Sequence, residues 1–167
     1  MPNKLVLDAN VVKEIIRAEI QCTTPVCVTD LSRIIDESYE IAIDDGDKIE
    51  TEWRQTCNCN FFNDWITERL KNGTIKVLGG KIDSSLKRIL LTQLGFHRKD
   101  LIYIWIALET QKKYIISEDM HFYDPKKMSC TSAKQKAIKQ CSGGKVANLL
   151  KRNGVVVSCI ERASSDL

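Results

Sequence analysis

Short runs of apolar residues recur along the chain, and most of them end in acidic or polar residues. Their length and their lack of polar interruptions are typical of strands buried inside a parallel sheet. The runs that predict strands cover residues 4–7, 41–43, 74–78, 114–117 and 155–157. We therefore expect these segments to pair in one central sheet.

Between these runs, apolar residues are mostly spaced three or four positions apart, which is the pattern of helices with one buried face. The predicted helices cover residues 11–20, 30–39, 47–56, 61–70, 84–94, 100–110 and 145–152. Asn10 is suited to cap the first of them. Strands that alternate with helices predict an α/β fold with three layers (α/β/α) and a central, mostly parallel sheet, formed by one domain over residues 1–167.

Acidic residues stand at or just after the ends of three of the predicted strands. They are Asp8, the pair Asp44 and Asp45, and Asp119. The carboxyl ends of parallel strands meet at one edge of a sheet, and such sheets bind ligands there, near the point where the strand order reverses. We expect these acids to lie at that edge, although each is also an ordinary choice for a loop.

Two further acids lie within predicted helices. Asp100 begins a helix so apolar that its body must be buried, but an aspartate there is also a common N-cap. Glu52 lies beside Trp53 and is predicted to point inward, whereas Glu50 points to another face of the helix. Clustered carboxylates repel one another unless a cation lies among them. Oxygen ligands without a suitable histidine or cysteine set favour Mg²⁺ or Mn²⁺, which suits phosphodiester hydrolysis.

Four short motifs follow one another in order on these predicted elements. They are Leu5–Val11, the helix segment around Glu52, Asp100–Leu108 and Tyr114–Asp119. Together they make the sequence resemble the PIN-domain nucleases over most of its length. In that family, four acidic residues bind one or two divalent ions. Matched residue by residue, the catalytic and metal-binding residues that the resemblance implies are Asp8, Glu52, Asp100 and Asp119.

The resemblance also implies an activity and partners. Asn10 and Ser117 match auxiliary positions that orient water or a metal ligand. The implied enzyme is an endoribonuclease that hydrolyses single-stranded RNA with Mg²⁺ or Mn²⁺ and leaves 3′-hydroxyl and 5′-phosphate ends; single-stranded DNA is the alternative substrate. Many stand-alone members are toxins, some serve in defence against phage, and homodimers are common. An antitoxin or another regulatory protein and a homodimer are therefore implied partners.

Other interpretations stay open at this level. A phosphoaspartyl enzyme of the haloacid dehalogenase type needs a second aspartate two residues after Asp8, where the chain has Asn10. A receiver domain would use the pair Asp44 and Asp45, but no lysine stands at a clearly matching position. A catalytically inactive PIN-like module that binds nucleic acid or protein would usually lack one of the four carboxylates.

Charge is distributed unevenly along the chain, although the net charge is only +3. Residues 1–124 carry 16 Lys and Arg against 20 Asp and Glu, whereas residues 125–167 carry nine against two. The basic segment is either a solvated face or a strip that attracts a polyanion to the acidic centre. The predicted nucleic-acid-binding residues are Arg98, Lys99, Lys126, Lys127, Lys134 and Lys136.

Several residues near these motifs have two interpretations each. Asp45, Glu118 and Asp124 are candidate auxiliary acids. His121 either contacts a substrate phosphate or is a structural loop residue. Phe96 either stacks on a base or packs in the core after the preceding helix.

The seven cysteines include one CxC pair, Cys57 and Cys59, without a second pair at zinc-ribbon spacing. Free thiols in a reducing compartment are expected, with structural zinc as the alternative. No apolar run approaches the ~20 residues of a membrane helix. Asp8 interrupts the first apolar stretch, so that a secretory signal is not expected. The sequence therefore predicts a cytoplasmic protein without a membrane partner.

Overall fold

The computed structural model describes residues 3–21 and 25–167. The described chain contains a sheet with helices on its faces. Its strands are β1 (Asn3–Leu7), β2 (Tyr39–Asp44), β3 (Ile75–Leu78), β4 (Tyr114–Ile116) and β5 (Val156–Ser158). Its α-helices are α1 (Ala9–Ile20), α2 (Val26–Ser38), α3 (Lys48–Cys57), α4 (Asn60–Lys71), α5 (Ser84–Arg88), α6 (Leu101–Glu109), α7 (Ser132–Gln140), α8 (Lys145–Arg152) and α9 (Ile160–Asp166).

The sheet has the strand order β3-β2-β1-β4-β5, and all neighbouring strands are parallel. The chain builds one half of the sheet outward from β1, then returns to the other side of β1 to add β4 and β5. The order therefore reverses between β1 and β4, where Leu7 pairs with Ile116. At such a switch point the connections leave toward opposite faces and open a crevice. Asp8 and Ser117 follow the two strands at this crevice.

Helix α6 covers the middle of the sheet and packs on β1, β2 and β4. A helix that is apolar around most of its circumference is stable only when it is buried on most sides. Its buried residues are Leu101, Ile102, Tyr103, Ile104, Ile106 and Ala107. Because α6 starts directly after Asp100, this burial brings Asp100 to the carboxyl edge of the sheet.

Helix α3 is attached to the same edge by a buried tryptophan. The Trp53 side chain is fully buried and its indole N–H donates to the carbonyl oxygen of Leu7 at 3.3 Å. The buried carboxylate of Asp44 accepts from the backbone N–H groups of Lys48 and Ile49 at 3.1 and 2.8 Å. These bonds satisfy free donors at the start of α3. Asp44 is thus occupied in holding the helix that carries Glu52.

The predicted fold class is confirmed. The structure is α/β, with an all-parallel five-stranded sheet flanked by helices, and is consistent with a three-layer PIN-like fold. The predicted strands at 74–78 and 155–157 form as β3 and β5, and α8 has the predicted bounds. None of the described helices has the length and apolar character that crossing a membrane requires.

Several local predictions are wrong. Helix α2 begins at Val26 rather than near residue 30, and the segment 84–94 divides into α5 and a π-helical turn, Ile89–Gln93. Asn10 is not the N-cap of α1; Asp8 takes that position, and Asn10 lies inside the helix. Helix α7 was not predicted, because none of its residues is fully buried and no apolar stripe marks it. The short helix α9 was also missed.

Candidate functional site

Asp8 lies at the centre of the switch-point crevice and is almost completely buried, with 4% of its surface exposed. One carboxylate oxygen accepts from the backbone N–H of Ala9 at 2.8 Å, which caps α1. The other accepts from the Ser117 hydroxyl at 2.8 Å, across the gap between β1 and β4. The Ser117 oxygen in turn accepts from the Asp119 N–H at 3.0 Å. Ser117 therefore couples the positions of the first and last predicted aspartates.

Glu52 reaches the same crevice from α3. Its carboxylate accepts from the Tyr103 hydroxyl at 2.8 Å. Glu50, the alternative on this helix, instead pairs with Arg54 at 2.7 Å. The inward orientation predicted for Glu52 rather than Glu50 is therefore the one that the structure has. Burial raises the pKa of Tyr103 above its ordinary range, and the nearby Asp8 and Glu52 charges add to this rise. Tyr103 thus acts as a neutral donor that holds Glu52 in place.

Asp100, Asp119 and His121 form the tightest group of candidate ligands. One ligand atom from each of the three lies within 4.8 Å of the others, and all three residues are half-buried. Asp119 caps the short 3-10 turn that follows it by accepting from the His121 N–H at 2.9 Å. The His121 ring nitrogen Nδ1 lies 3.1 Å from the same carboxylate oxygen. This compact turn brings His121 back to Asp119, so that one histidine joins the carboxylates as a candidate ligand.

The four predicted carboxylates interact electrostatically as one cluster. The pKa of Asp8 is raised to about 7, mainly by burial and also by the Asp119 and Glu52 charges, while the hydrogen bond from Ser117 opposes the rise. Burial also raises the pKa of Asp100 to about 6, with the same two charges adding to the effect. Within residues 3–21 and 25–167, no lysine or arginine forms an ion pair with any of the four. The cluster therefore concentrates negative charge with no lysine or arginine among the described residues to offset it.

The donor set fits a divalent cation. Buried carboxylates that raise one another's pKa are stabilised when a cation lies between them. The available donors are mostly carboxylate oxygens, which suit Mg²⁺ or Mn²⁺, with one imidazole, which suits Mn²⁺ better than Mg²⁺. Asp100, Asp119 and His121 lie close enough together that they could share one ion. Asp8 and Glu52 adjoin this group, since their charges interact with those of Asp119 and Asp100.

The candidate auxiliary residues divide into distinct roles. Ser117 is buried, and its hydroxyl bridges the Asp8 carboxylate and the backbone N–H of Asp119. Asn10 is exposed in the first turn of α1. Glu118 pairs with Lys139 at 2.8 Å and accepts from the N–H of Ile160 at 2.8 Å. It therefore joins α7 and α9 to the end of β4 and is not free to assist the cluster.

The other candidate acids and Phe96 also have assigned environments. Asp124 is buried and caps the turn Pro125–Lys127 through the Lys126 N–H. Asp45 is exposed beyond the end of β2. Phe96 is 3% exposed and makes an edge contact with Phe122 at 5.3 Å, so it packs in the core rather than stacking on a ligand.

The predicted basic residues lie on two parts of the molecule. Arg98 and Lys99 form the turn immediately before Asp100 and line a cavity that Glu52 also lines. Lys126 and Lys127 lie in the 3-10 turn that follows Asp124, and Lys134 lies exposed on α7. The last of the set, Lys136, pairs with Glu161 at 3.4 Å.

Sequence reasoning missed two contributors that the geometry brings to the cluster. Tyr103 stands three residues after Asp100, and this spacing puts both on one face of a helix. His121 stands two residues after Asp119, within reach only because the chain turns tightly there. Helical periodicity could have predicted the position of Tyr103, whereas the position of His121 depends on the tight turn, which the sequence does not reveal.

Comparisons of the chain with protein-family models, with curated proteins and with solved structures found no match.

Proposed function

We propose that this protein is a metal-dependent endonuclease that hydrolyses single-stranded RNA. The observation that carries the proposal is the cluster of Asp8, Glu52, Asp100 and Asp119, which has no lysine or arginine partner within the described ranges, at the switch point of a parallel sheet. Such a cluster is costly in a protein that binds no cation, because each carboxylate raises the energy of ionising the next. It is useful when a divalent ion binds and the ligands must be strongly negative.

The ion would supply the chemistry of phosphodiester hydrolysis. Bound there, Mg²⁺ or Mn²⁺ would activate water and stabilise the charge that develops on the leaving oxygen. Asp8 and Asp119 are held by Ser117 before any ligand arrives, and Glu52 is held by Tyr103. This prior ordering supports catalysis because ligands that are already oriented lose less entropy when the substrate binds.

The choice of RNA over DNA rests on the resemblance to the PIN-domain nucleases. Basic residues near the cluster support a polyanionic substrate of either kind. Arg98 and Lys99 precede Asp100 directly, and Lys126 and Lys127 follow Asp119 within one short stretch of chain. Such residues attract and position a phosphate backbone without reading its sequence.

The test is a cleavage assay with purified protein, labelled single-stranded RNA and single-stranded DNA. Each substrate is incubated with Mn²⁺, with Mg²⁺ and with EDTA. We expect cleavage of RNA that needs metal, is lost with EDTA and leaves 5′-phosphate ends. Asp119→Asn should reduce the rate at least about a hundredfold, since a lost ligand removes stabilisation of the charged transition state.

A matched pair on one helix controls for indirect effects. Glu52→Gln should lower the cleavage rate strongly, whereas Glu50→Gln, which removes only the surface pair with Arg54, should leave it unchanged. Equal activity of both variants would contradict the proposed role of Glu52. RNA binding without cleavage under every metal condition would point instead to a catalytically inactive module that only binds nucleic acid.

A further inference from the structure

A cavity adjoins the carboxylate cluster and extends away from it. Its volume is about 770 Å³, within the range of typical ligand pockets. Helices α3 and α6 form two of its walls, and the turn before Asp100 forms a third. Glu52 lines both this cavity and the cluster, so the cavity begins where the candidate metal ligands end.

Basic side chains predominate around the cavity. It is lined by Lys48, Lys87, Arg98 and Lys99, against only two acids, Asp47 and Glu52. None of these four cations forms an ion pair with a carboxylate anywhere in the described part of the chain. Unpaired cations in a concave site focus a positive potential and attract phosphate groups.

An aromatic ring completes the wall that α6 contributes. Trp105 is only half-buried, unlike the fully buried Trp53. The ammonium group of Lys48 lies over the Trp105 ring, 5.9 Å from its centroid, and both residues line the cavity. The covered ring face is therefore turned toward the cavity. A flat ring beside several cations is the combination that binds single-stranded nucleic acid, with bases stacked on the ring and phosphates on the cations.

We propose that this cavity binds one nucleotide of the substrate strand next to the scissile phosphate. The base stacks on Trp105, displacing the flexible Lys48 side chain, and Arg98, Lys99 and Lys87 hold the neighbouring phosphates. This inference deepens the proposed nuclease function and rests on it for the identity of the substrate. Glu52 lines both the cavity and the carboxylate cluster. A nucleic-acid strand bound in the cavity therefore continues directly to the carboxylates.

The test measures binding in EDTA, so that it does not depend on cleavage or on bound metal. A single-stranded oligoribonucleotide is titrated into the protein while anisotropy and tryptophan fluorescence are followed. Stacking of a base on Trp105 should quench part of the fluorescence on binding. Salt concentration is held fixed, because phosphate contacts make affinity depend strongly on it.

Four variants distinguish the loss of base stacking on Trp105 from a general loss of folding. Trp105→Phe should bind the oligonucleotide nearly as well as the native protein but lose the quenching. Trp105→Leu should lose both, with affinity lowered about 5- to 100-fold, as expected for one stacked base. Trp65→Phe is the matched control: Trp65 is also half-buried but packs on Phe62 outside the cavity, so quenching and affinity should persist. Arg98→Gln should weaken binding without changing the melting temperature.

Two results would overturn the inference. The first is binding of the oligonucleotide with no quenching from Trp105 and no effect of Trp105→Leu or Arg98→Gln. The second is equal affinity for a 5′-mononucleotide and the oligonucleotide, which would make the cavity a site for free nucleotides. Cleavage that depends on Asp119 while Trp105→Leu binds normally would refute the cavity proposal alone. Binding with Trp105-dependent quenching but no cleavage would support the cavity and refute the nuclease.

Discussion

In the protein without metal, the hydrogen bonds of Asp8 favour its charged form, whereas its burial beside other acids disfavours that form. Its carboxylate is needed as a hydrogen-bond acceptor for Ala9 and Ser117. The same carboxylate is buried beside Asp119 and Glu52, and its pKa is raised from 3.8 to about 7. An aspartate whose pKa is raised on folding is protonated more readily in the folded state than in the unfolded state. Stability is therefore lost as pH rises through the interval between the two values.

The first prediction concerns stability and pH. In EDTA, the free energy of unfolding of the native protein should fall between pH 4 and pH 7. Asp8→Asn keeps an acceptor for Ala9 but removes the charge, so at pH 7.5 it should be more stable by up to a few kcal/mol, given about 1.4 kcal/mol per pKa unit. Urea denaturation across this pH range measures the effect. Equal pH profiles for the two proteins would contradict the raised pKa.

The second prediction concerns His121 as a ligand. His121→Gln should lower the affinity for Mn²⁺ about tenfold or more, as loss of a metal-site partner commonly does. Its effect on Mg²⁺ should be smaller, because imidazole is a poorer ligand for that ion. Calorimetric titration with each ion provides the measurement.

His97→Gln is the matched control for this experiment. The His97 ring lies 5.9 Å from that of His121, but His97 is exposed and does not belong to the group formed with Asp100 and Asp119. Metal affinity of this variant should be close to native. If His121→Gln binds Mn²⁺ as tightly as the native protein, His121 serves only to hold Asp119 in its turn.

At the scale of elements, the start of α8 depends on one glycine. Gly144 has φ +99°, and a Cβ atom there would lie 2.3 Å from the carbonyl oxygen of Tyr123. That oxygen accepts from the N–H groups of Val146 and Ala147 at 2.9 and 3.3 Å. The Tyr123 hydroxyl donates to the Ser117 carbonyl oxygen at 2.8 Å. The helix start is thus linked through Tyr123 to the loop that carries Ser117 and the last aspartate.

The third prediction tests this close approach. Gly144→Ala should destabilise the protein clearly more than Gly95→Ala, which serves as the control. Gly95 has φ +70° but nothing within 4 Å of an added Cβ, so its substitution carries only the backbone cost of about 1–2 kcal/mol. Thermal melting of both variants gives the comparison. Equal melting temperatures would show that α8 can move away from Tyr123 without a loss of stability.

Most helices and strands could be predicted from the local pattern of apolar and polar residues. The strands were recognised because buried parallel strands are short apolar runs, and α6 because its apolar length admits no exposed position. Helix α7 was missed because it packs on the domain without fully burying any residue. The N-cap of α1 was misplaced by two residues, since both Asp8 and Asn10 are good capping residues and only the backbone conformation distinguishes them.

At the scale of the whole molecule, charge is separated between an acidic cluster and basic surroundings. The cluster concentrates negative charge at the switch point, while Lys126 and Lys134 are exposed on the chain that follows Asp119. Cations around an acidic metal centre would offset its repulsion for a polyanion and draw the strand toward it.

The fourth prediction measures this effect. The double variant Lys126→Gln/Lys134→Gln should weaken binding of single-stranded RNA and reduce the slope of log affinity against log salt by about 0.7 for each phosphate that the protein no longer neutralises. The control is Arg33→Gln/Lys71→Gln, which removes two exposed cations on α2 and α4 and should leave the slope unchanged. An equal reduction in both variants would mean that only net charge matters.

The sequence by itself determined the fold class, the strands and the acids that follow or adjoin them, because burial periodicity and polar residues at strand ends are local properties. The tertiary structure decided which of those acids lie together. Asp44 turned away to hold α3, whereas Asp8, Glu52, Asp100 and Asp119 converged, because the strand order reverses between β1 and β4. The position of His121 beside Asp100 and Asp119, and the cavity beside Trp105, also became visible only in the tertiary structure. These features depend on contacts between segments far apart in the chain or on a tight turn, and neither leaves a periodic signal in the sequence.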